Sequence, residues 1–527
     1  MMKKVLRILP FVFIYFLALF FRFTKLGYSE FQGDETSAQN YLFGNQDFIK
    51  FLFTRQVGPS QYIISYISNY LLHFVNLSPE LFIRIPFAFA GITAVIALYY
   101  VVNKFFDRTT ALIATTLAGT SGLLIALSRI VQYQSFVILL SIVCVGVYLV
   151  YLERDHNILY STICGILCGV ALLFHYDALA FIIPIIIHAI LNKDYKGIVV
   201  ILGFTGIISS LFYVPFVLYP GFSSTFDYLI GTRMNSSPTQ DSIWSSLKIL
   251  EMYHSKELLM LVGIALVIAL LKRIKNSTTT FTILLSLTVD LILIRVGIGT
   301  RIPWVVYGSV ICAIATLYMY CFKKTEKDLQ DNALKLITIW FGISFIFYGM
   351  LFSMPLTHIY TFFIPLFILI GFYLKIAFVR AATFQKIGII GLALFGLVSA
   401  VSFNYQAFID TTREYPWEQK KYVFGLMPSY IADGQNIDDI FGFPYNRGWK
   451  GIAGAITAIK KFATVTTYGS NEKYRLTKYY IRDLSYVDKD PDIYVYIYKT
   501  QNLVQAASTH PAEIPLVTTG DYEIYLK

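Results

Sequence analysis

The chain has 527 residues, 56% of them hydrophobic, 17% aromatic and only 14% charged, with a mean hydropathy of +0.61. Soluble domains carry roughly 25% charged residues, so an ordinary soluble enzyme is excluded and a polytopic membrane protein is expected. The excess of 43 basic over 32 acidic residues does not imply nucleic acid, because in membrane proteins such an excess collects in cytoplasmic loops.

A hydrocarbon core about 30 Å thick takes ~20 apolar residues per helix. Apolar runs near that size begin after Lys4 and at Pro86, Ala111, Ser135, Leu159, Ala178 and Gly197. Others begin near Leu258, Thr279, Pro303, Ala333, Thr357 and Ile387, giving thirteen expected helices. Lys3, Lys4 and Arg7 precede the first run as in a signal peptide. It continues to Phe21 without a small-residue cleavage site, so a retained span is expected.

Basic residues alternate between the connections. One set holds Lys104, Arg108, Arg154, Lys193, Lys196, Lys272, Arg273, Lys275, Lys323, Lys324, Lys327, Arg380 and Lys386. The other short connections hold little beyond Arg129, Arg295 and Arg301. Positive charge marks the cytoplasmic side, which places the N-terminus inside and residues after about 404 outside, at the cell membrane.

Two longer segments, 22–85 and 220–256, then face outward. In the first, Ile63, Ile64, Ile67, Leu71 and Phe74 share one helical face with Ser65, Ser68 and Asn69 opposite. That pattern suits a helix lying along the membrane surface. Residues 1–403 form the transmembrane domain, with 22–85 as its catalytic loop, and 404–527 read as a small external α/β domain. Strands are expected at Thr464–Tyr468, Ile493–Tyr498, Tyr522–Leu526 and Asp439–Phe443, and helices at Gly451–Lys461 and Glu472–Ile481. The cysteines (Cys144, Cys164, Cys168, Cys312 and Cys321) lie in or beside apolar runs, so they read as buried small residues and not as a disulfide framework.

Polar chemistry gathers on the outward side. Gly33-Asp34-Glu35 follows the first span; adjacent carboxylates suit a general base, a metal ligand or a guide for a polar substrate. Arg84 precedes the second span, and Arg129, Gln132, Tyr133 and Gln134 fill the next outer turn. His175, Tyr176 and Asp177 form another turn, while His358 and Tyr360 open the twelfth span. Arg233, Asp290, Arg295 and Arg301 complete the set; an acid inside a span, such as Asp290, is a functional candidate by default. Arginine grips phosphate through its planar fork, so Arg84, Arg129 and Arg301 are candidates for holding a lipid phosphate. Asp34 is the candidate base and Glu35 its support; Gln132, Gln134, His175, Asp177, His358 and Tyr360 are candidates for binding substrate.

With Gly33-Asp34-Glu35, Arg84-Ile85-Pro86, Ser128-Arg129 before Gln132-Tyr133-Gln134, and the segment from Pro355 through His358 and Tyr360 to Pro365, the chain resembles GT-C superfamily glycosyltransferases. The similar branch is the bacterial family 39 type, related to protein O-mannosyltransferases and lipid A aminoarabinose transferases. That resemblance implies a polyprenyl-phosphate sugar as donor, transfer on the extracytoplasmic face, and a lipid, glycan or protein as acceptor. No cofactor is implied with certainty, although a divalent cation remains open. Where several relatives carry an acid in the second outer loop, this chain has Gln134. Gly58-Pro59-Ser60 replaces their Pro-Pro-Leu, which leaves Arg55 to substitute for a lysine-type phosphate contact. A lipid-linked glycan flippase and a glycan ligase or polymerase are the competing readings. A flippase would place its polar groups near mid-membrane.

Overall fold

A computed structural model describes residues 2–39, 41, 47–55, 57–227, 252–255, 329–346, 356–412, 414, 442–472, 474–498 and 514–526. The apolar runs become helices α1 (Met2–Phe23), α5 (Pro79–Phe105), α6 (Arg108–Thr120), α7 (Gly122–Ser128), α8 (Gln134–Glu153), α9 (Ile158–Phe174), α10 (Leu179–Leu191) and α11 (Tyr195–Leu218). Helices Leu329–Ile346, Phe363–Val379 and Thr383–Asn404 follow. The runs near Leu258, Thr279 and Pro303 lie outside the described residues, as do Arg233, Asp290, Arg295 and Arg301. Among those described, five helices are long and apolar enough to cross a membrane, and α6 with α7 would form a sixth span bent by 60°.

That bend is held by side chains from elsewhere. A break leaves backbone carbonyls without helical partners, which is costly away from water. Arg22, at the end of α1, donates to Ala118 O and Gly119 O, and Asn404 Nδ2 donates to Thr120 O at 2.8 Å. Arg129, just past α7, returns the service to the end of α1. Its guanidinium donates to the carbonyls of Phe21, Thr24 and Lys25, and to Phe408 O. The two arginines therefore lock α1 against the bent span.

The first outer segment folds into α2 (Gly33–Ala38), α3 (Phe48–Phe53) and α4 (Ser60–Leu72). In α4, Gln61, Ser65 and Ser68 are buried while Ile63, Ile67 and Leu71 are exposed, as is Phe74 just beyond it. A polar face turned to protein and an apolar face turned outward is the arrangement expected at a lipid surface. Gly58 opens this helix against α9; a Cβ there would lie 2.1 Å from Leu173 O, so no larger residue fits.

The C-terminal part builds one sheet in the order β2-β1-β3-β5-β4, from β1 (Thr467–Ser470), β2 (Ser485–Tyr486), β3 (Ile493–Ile497), β4 (Val517–Thr518) and β5 (Tyr522–Leu526). β1 pairs in parallel with β2 and β3, whereas β5 runs antiparallel to β3 and β4. Ile493, Val495 and Ile497 alternate into a core shared with Trp449, Ile452, Ile456 and Ile459 of helix Trp449–Ile459. The strand expected at Thr464–Tyr468 sits later, at Thr467–Ser470, and the helix expected over Glu472–Ile481 shrinks to Tyr474–Thr477. Of the strand expected at Asp439–Phe443, the described residues Gly442 and Phe443 form a bend. Gly442 has φ +86°, and a Cβ there would come 2.6 Å from Ala126 Cα, so its backbone packs directly on α7. The adjoining Phe443 stacks on Tyr253 and Phe408, which makes this stretch a wedge between bundle and sheet.

Candidate active site

Gln32 caps α2 and Glu35 answers by accepting the Gln32 backbone N–H at 3.1 Å, forming a capping box. One turn thus settles which acid points inward. Glu35 is 1% exposed and takes two parallel hydrogen bonds from Arg84, from Nε and Nη2, both 2.8 Å. It also accepts Val131 N–H at 2.9 Å, which ties the first outer segment to the second. Arg84 in turn donates to the carbonyls of Leu26, Ser29 and Glu30.

Asp34 has the opposite surroundings. It is exposed, and Gln132 Nε2 donates to its Oδ2 at 2.7 Å. Gln134 Nε2 donates to Gln132 Oε1 at 2.8 Å, so the two glutamines form a short relay that aims the carboxylate. Nearby, Gln32 Nε2 and Gln134 Oε1 are buried without a hydrogen-bond partner among the described residues. Unmet amide groups beside an exposed carboxylate suit the hydroxyls of a polar ligand.

The arginines expected to hold phosphate are placed otherwise. Arg84 and Arg129 direct their donors to Glu35 and to backbone carbonyls, and they line a cavity of about 10 Å³ with Gln32, Glu35, Ile130 and Phe443. That is room for one water, not for a phosphate group. Their donors are taken up by the loop carbonyls and by Glu35. In this structure both side chains hold the loop, and Glu35 anchors Arg84. Arg301 lies outside the described residues. Arg55 is different: half-buried, stacked 4.4 Å over Phe51, with its Nε lacking a hydrogen-bond partner among the described residues. Tyr62 lies within electrostatic reach of both Arg55 and Asp34.

A second cluster joins three segments far apart in sequence. His358, on the turn Leu356–Phe362, places Nδ1 2.7 Å from Asp177 Oδ2, and Tyr360 OH donates to the same oxygen at 2.8 Å. His175 Nδ1 lies 3.1 Å from Asp177 Oδ1 and accepts the Asp177 backbone N–H at 3.0 Å. Tyr133 stacks flat on His175, with ring centroids 3.8 Å apart and planes 3° from parallel. His175, Asp177, His358 and Tyr360 are all buried. Tyr133 precedes Gln134, so this cluster adjoins the glutamine relay through one turn of backbone.

Two residues not expected from sequence hold the sheet to the site. Glu30 accepts Arg447 N–H at 2.8 Å and Trp449 N–H at 2.6 Å, at the start of helix Trp449–Ile459. Burial pushes its carboxyl up to about 7, against the pull of those two N–H groups. Glu80 accepts Lys450 Nζ at 2.7 Å and Tyr480 OH at 3.1 Å. No local pattern marks these acids, since their partners lie about four hundred residues away in sequence.

The family described as dolichyl-phosphate-mannose-protein mannosyltransferase matches residues 63–219, from α4 to the end of α11. ArnT from Cupriavidus metallidurans bound to undecaprenyl phosphate superposes with a TM-score of 0.53 at 12% identity, covering 99% of this chain and 97% of that one. Its apo state gives 0.50 at 12% identity with the same coverage. The oligosaccharyltransferase AglB from Archaeoglobus fulgidus, with an inhibitory peptide and a dolichol-phosphate, gives 0.48 at 11% identity, covering 94% of this chain and 70% of that one. No curated protein sequence matches significantly. The chain thus shares the fold of ArnT over nearly its whole length, and within it residues 63–219 match the mannosyltransferase family.

Proposed function

We propose that the protein takes a sugar from a polyprenyl-phosphate donor and passes it to an envelope lipid, glycan or protein on the extracytoplasmic face. The observation that carries this reading is the exposed Asp34 carboxylate aimed by the Gln134–Gln132 relay, at the end of the bundle where the polar groups gather. Asp34 accepts the proton of the acceptor nucleophile as it attacks the anomeric carbon, and the lipid phosphate departs with the bond electrons. Arg55 balances that phosphate, joined by Arg301. Gln32, Gln134 and the His175–Asp177–His358–Tyr360 group line the path of sugar and acceptor. The matched ArnT structure contains undecaprenyl phosphate, which is the donor class this site would need.

A positioned base contributes about 10²–10⁴-fold to rate. Asp34→Asn keeps the size and the Gln132 contact but removes basicity, so in purified enzyme with polyprenyl-phosphate sugars we expect turnover to fall by that factor with donor binding kept. Transfer at the wild-type rate would remove Asp34 from the chemistry. Arg55→Ala is expected to weaken donor binding by roughly one to two powers of ten, the loss of one charge-assisted hydrogen bond. Unchanged donor affinity would return the phosphate to another cation.

A further inference from the structure

The cluster of His175, Asp177 and His358 has features that hydrogen bonding alone leaves unexplained. Asp177 is 1% exposed, and its Oδ1 takes no hydrogen bond among the described residues. His175 Nδ1 stands 3.1 Å from that oxygen and 3.0 Å from the Asp177 amide, so it can meet the oxygen only by carrying a proton or by sharing a cation with it. A buried carboxylate between two imidazoles needs a compensating positive charge, which either a ring proton or a shared cation supplies.

We propose that His175, Asp177 and His358 bind a divalent ion of the zinc class. The candidate ligand atoms of the three residues lie within 4.8 Å of one another. Two imidazoles bound to one tetrahedral ion at about 2.0–2.1 Å would hold their ring centroids about 5.2 Å apart; here the spacing is 5.5 Å, at 42° between planes. Two nitrogens and one oxygen form a donor set that zinc accepts, and three protein ligands leave a fourth position for water or substrate. The supporting groups are also in place. Tyr360 OH donates to Asp177 Oδ2, and the flat Tyr133 ring fixes the plane of His175; such outer contacts orient ligands in metal sites. The ligands come from two turns at the same end of the bundle, one ending α9 and one opening helix Phe363–Val379, so an ion there would also tie those turns together.

This site does not rest on sugar transfer, and its test reads metal directly. Full-length protein in nanodiscs, stripped with a chelator, is titrated with Co²⁺ while visible absorption is recorded, then challenged with Zn²⁺. The proposal expects one equivalent of Co²⁺ with the intense bands of a four-coordinate site, displaced by Zn²⁺. His358→Ala and His175→Ala should each weaken binding by more than the 10–100-fold typical of losing an outer contact, whereas His73→Ala, at an exposed position capping the end of α4, should bind as wild type. Should the histidine variants fail to fold, the wild-type titration decides alone. Folded wild type that takes up no Co²⁺, or shows only the weak bands of the aqueous ion, would overturn the site and leave a proton-sharing triad. Metal uptake without sugar transfer would support the site and count only against the function proposed above.

Discussion

At neighbouring positions, Asp34 and Glu35 meet different fates because the first turn of α2 sends one side chain out and the other in. Glu35 with Arg84 forms a buried pair whose remaining valences are met by backbone, and removing one partner of such a pair typically costs ~3–5 kcal/mol. Arg84→Ala should therefore lower thermal stability of the purified protein by an amount of that order, while Asp34→Asn should leave it nearly unchanged. Equal, small losses for both would mean that the Arg84–Glu35 pair does not hold the loop. Gln132→Ala is the test of positioning: it should lower kcat with little change in the melting temperature, and Gln132→Asn, one methylene shorter, should recover only part.

At the scale of elements, the first outer segment lies between the bundle and the C-terminal sheet, and Glu30 joins it to helix Trp449–Ile459. The Glu30 carboxyl sits near 7 in the folded protein, above its ordinary value of 4.5. Its contribution to stability is complete below pH 4.5, where both states hold the proton. That contribution declines as pH rises, and is gone once the folded group also ionises above about 7. Raising the pH from about 5 to 8 should thus loosen the sheet, and Glu30→Gln should remove this part of the dependence. Thermal unfolding followed by tryptophan fluorescence would show it, and an unaltered pH profile in Glu30→Gln would count against the role. Elements also explain which sequence patterns held. Ile63, Ile67 and Leu71 face outward and Ser65 and Ser68 inward as read, because a single helix records its own amphipathicity, whereas Ile64 is half-buried against the core. The strand expected at Asp439–Phe443 did not form over its described residues, since Gly442 with positive φ packs its backbone on α7. Hydropathy there reported burial and left the geometry open.

For the whole molecule, the alternation of basic and nearly charge-free connections predicts which face carries the site. Single cysteines at Lys275 and Lys324, in a background lacking the five native cysteines, should resist an impermeant thiol reagent in intact cells. Those at Asp34, Arg233 and Lys420 should react. Asp34 alone of these five positions lies within the described residues, and labelling of the first pair but not the others would invert the topology. Chain composition, helix runs, the acid pair after the first span and the polar turns were all legible in the sequence, because hydropathy and capping act over a few residues. Where each charge ends up was not. Arg129 reaches Phe408 O across 279 residues, Glu35 reaches Val131 N across 96, and His358 meets Asp177 across 181. Sequence could offer Arg84 and Arg129 to a phosphate, but only the assembled structure showed the backbone carbonyls and the buried Glu35 that engage them. The reason is that a charge away from water is drawn to whichever opposite charge or carbonyl the packed fold brings within reach, and that distance is set by tertiary structure.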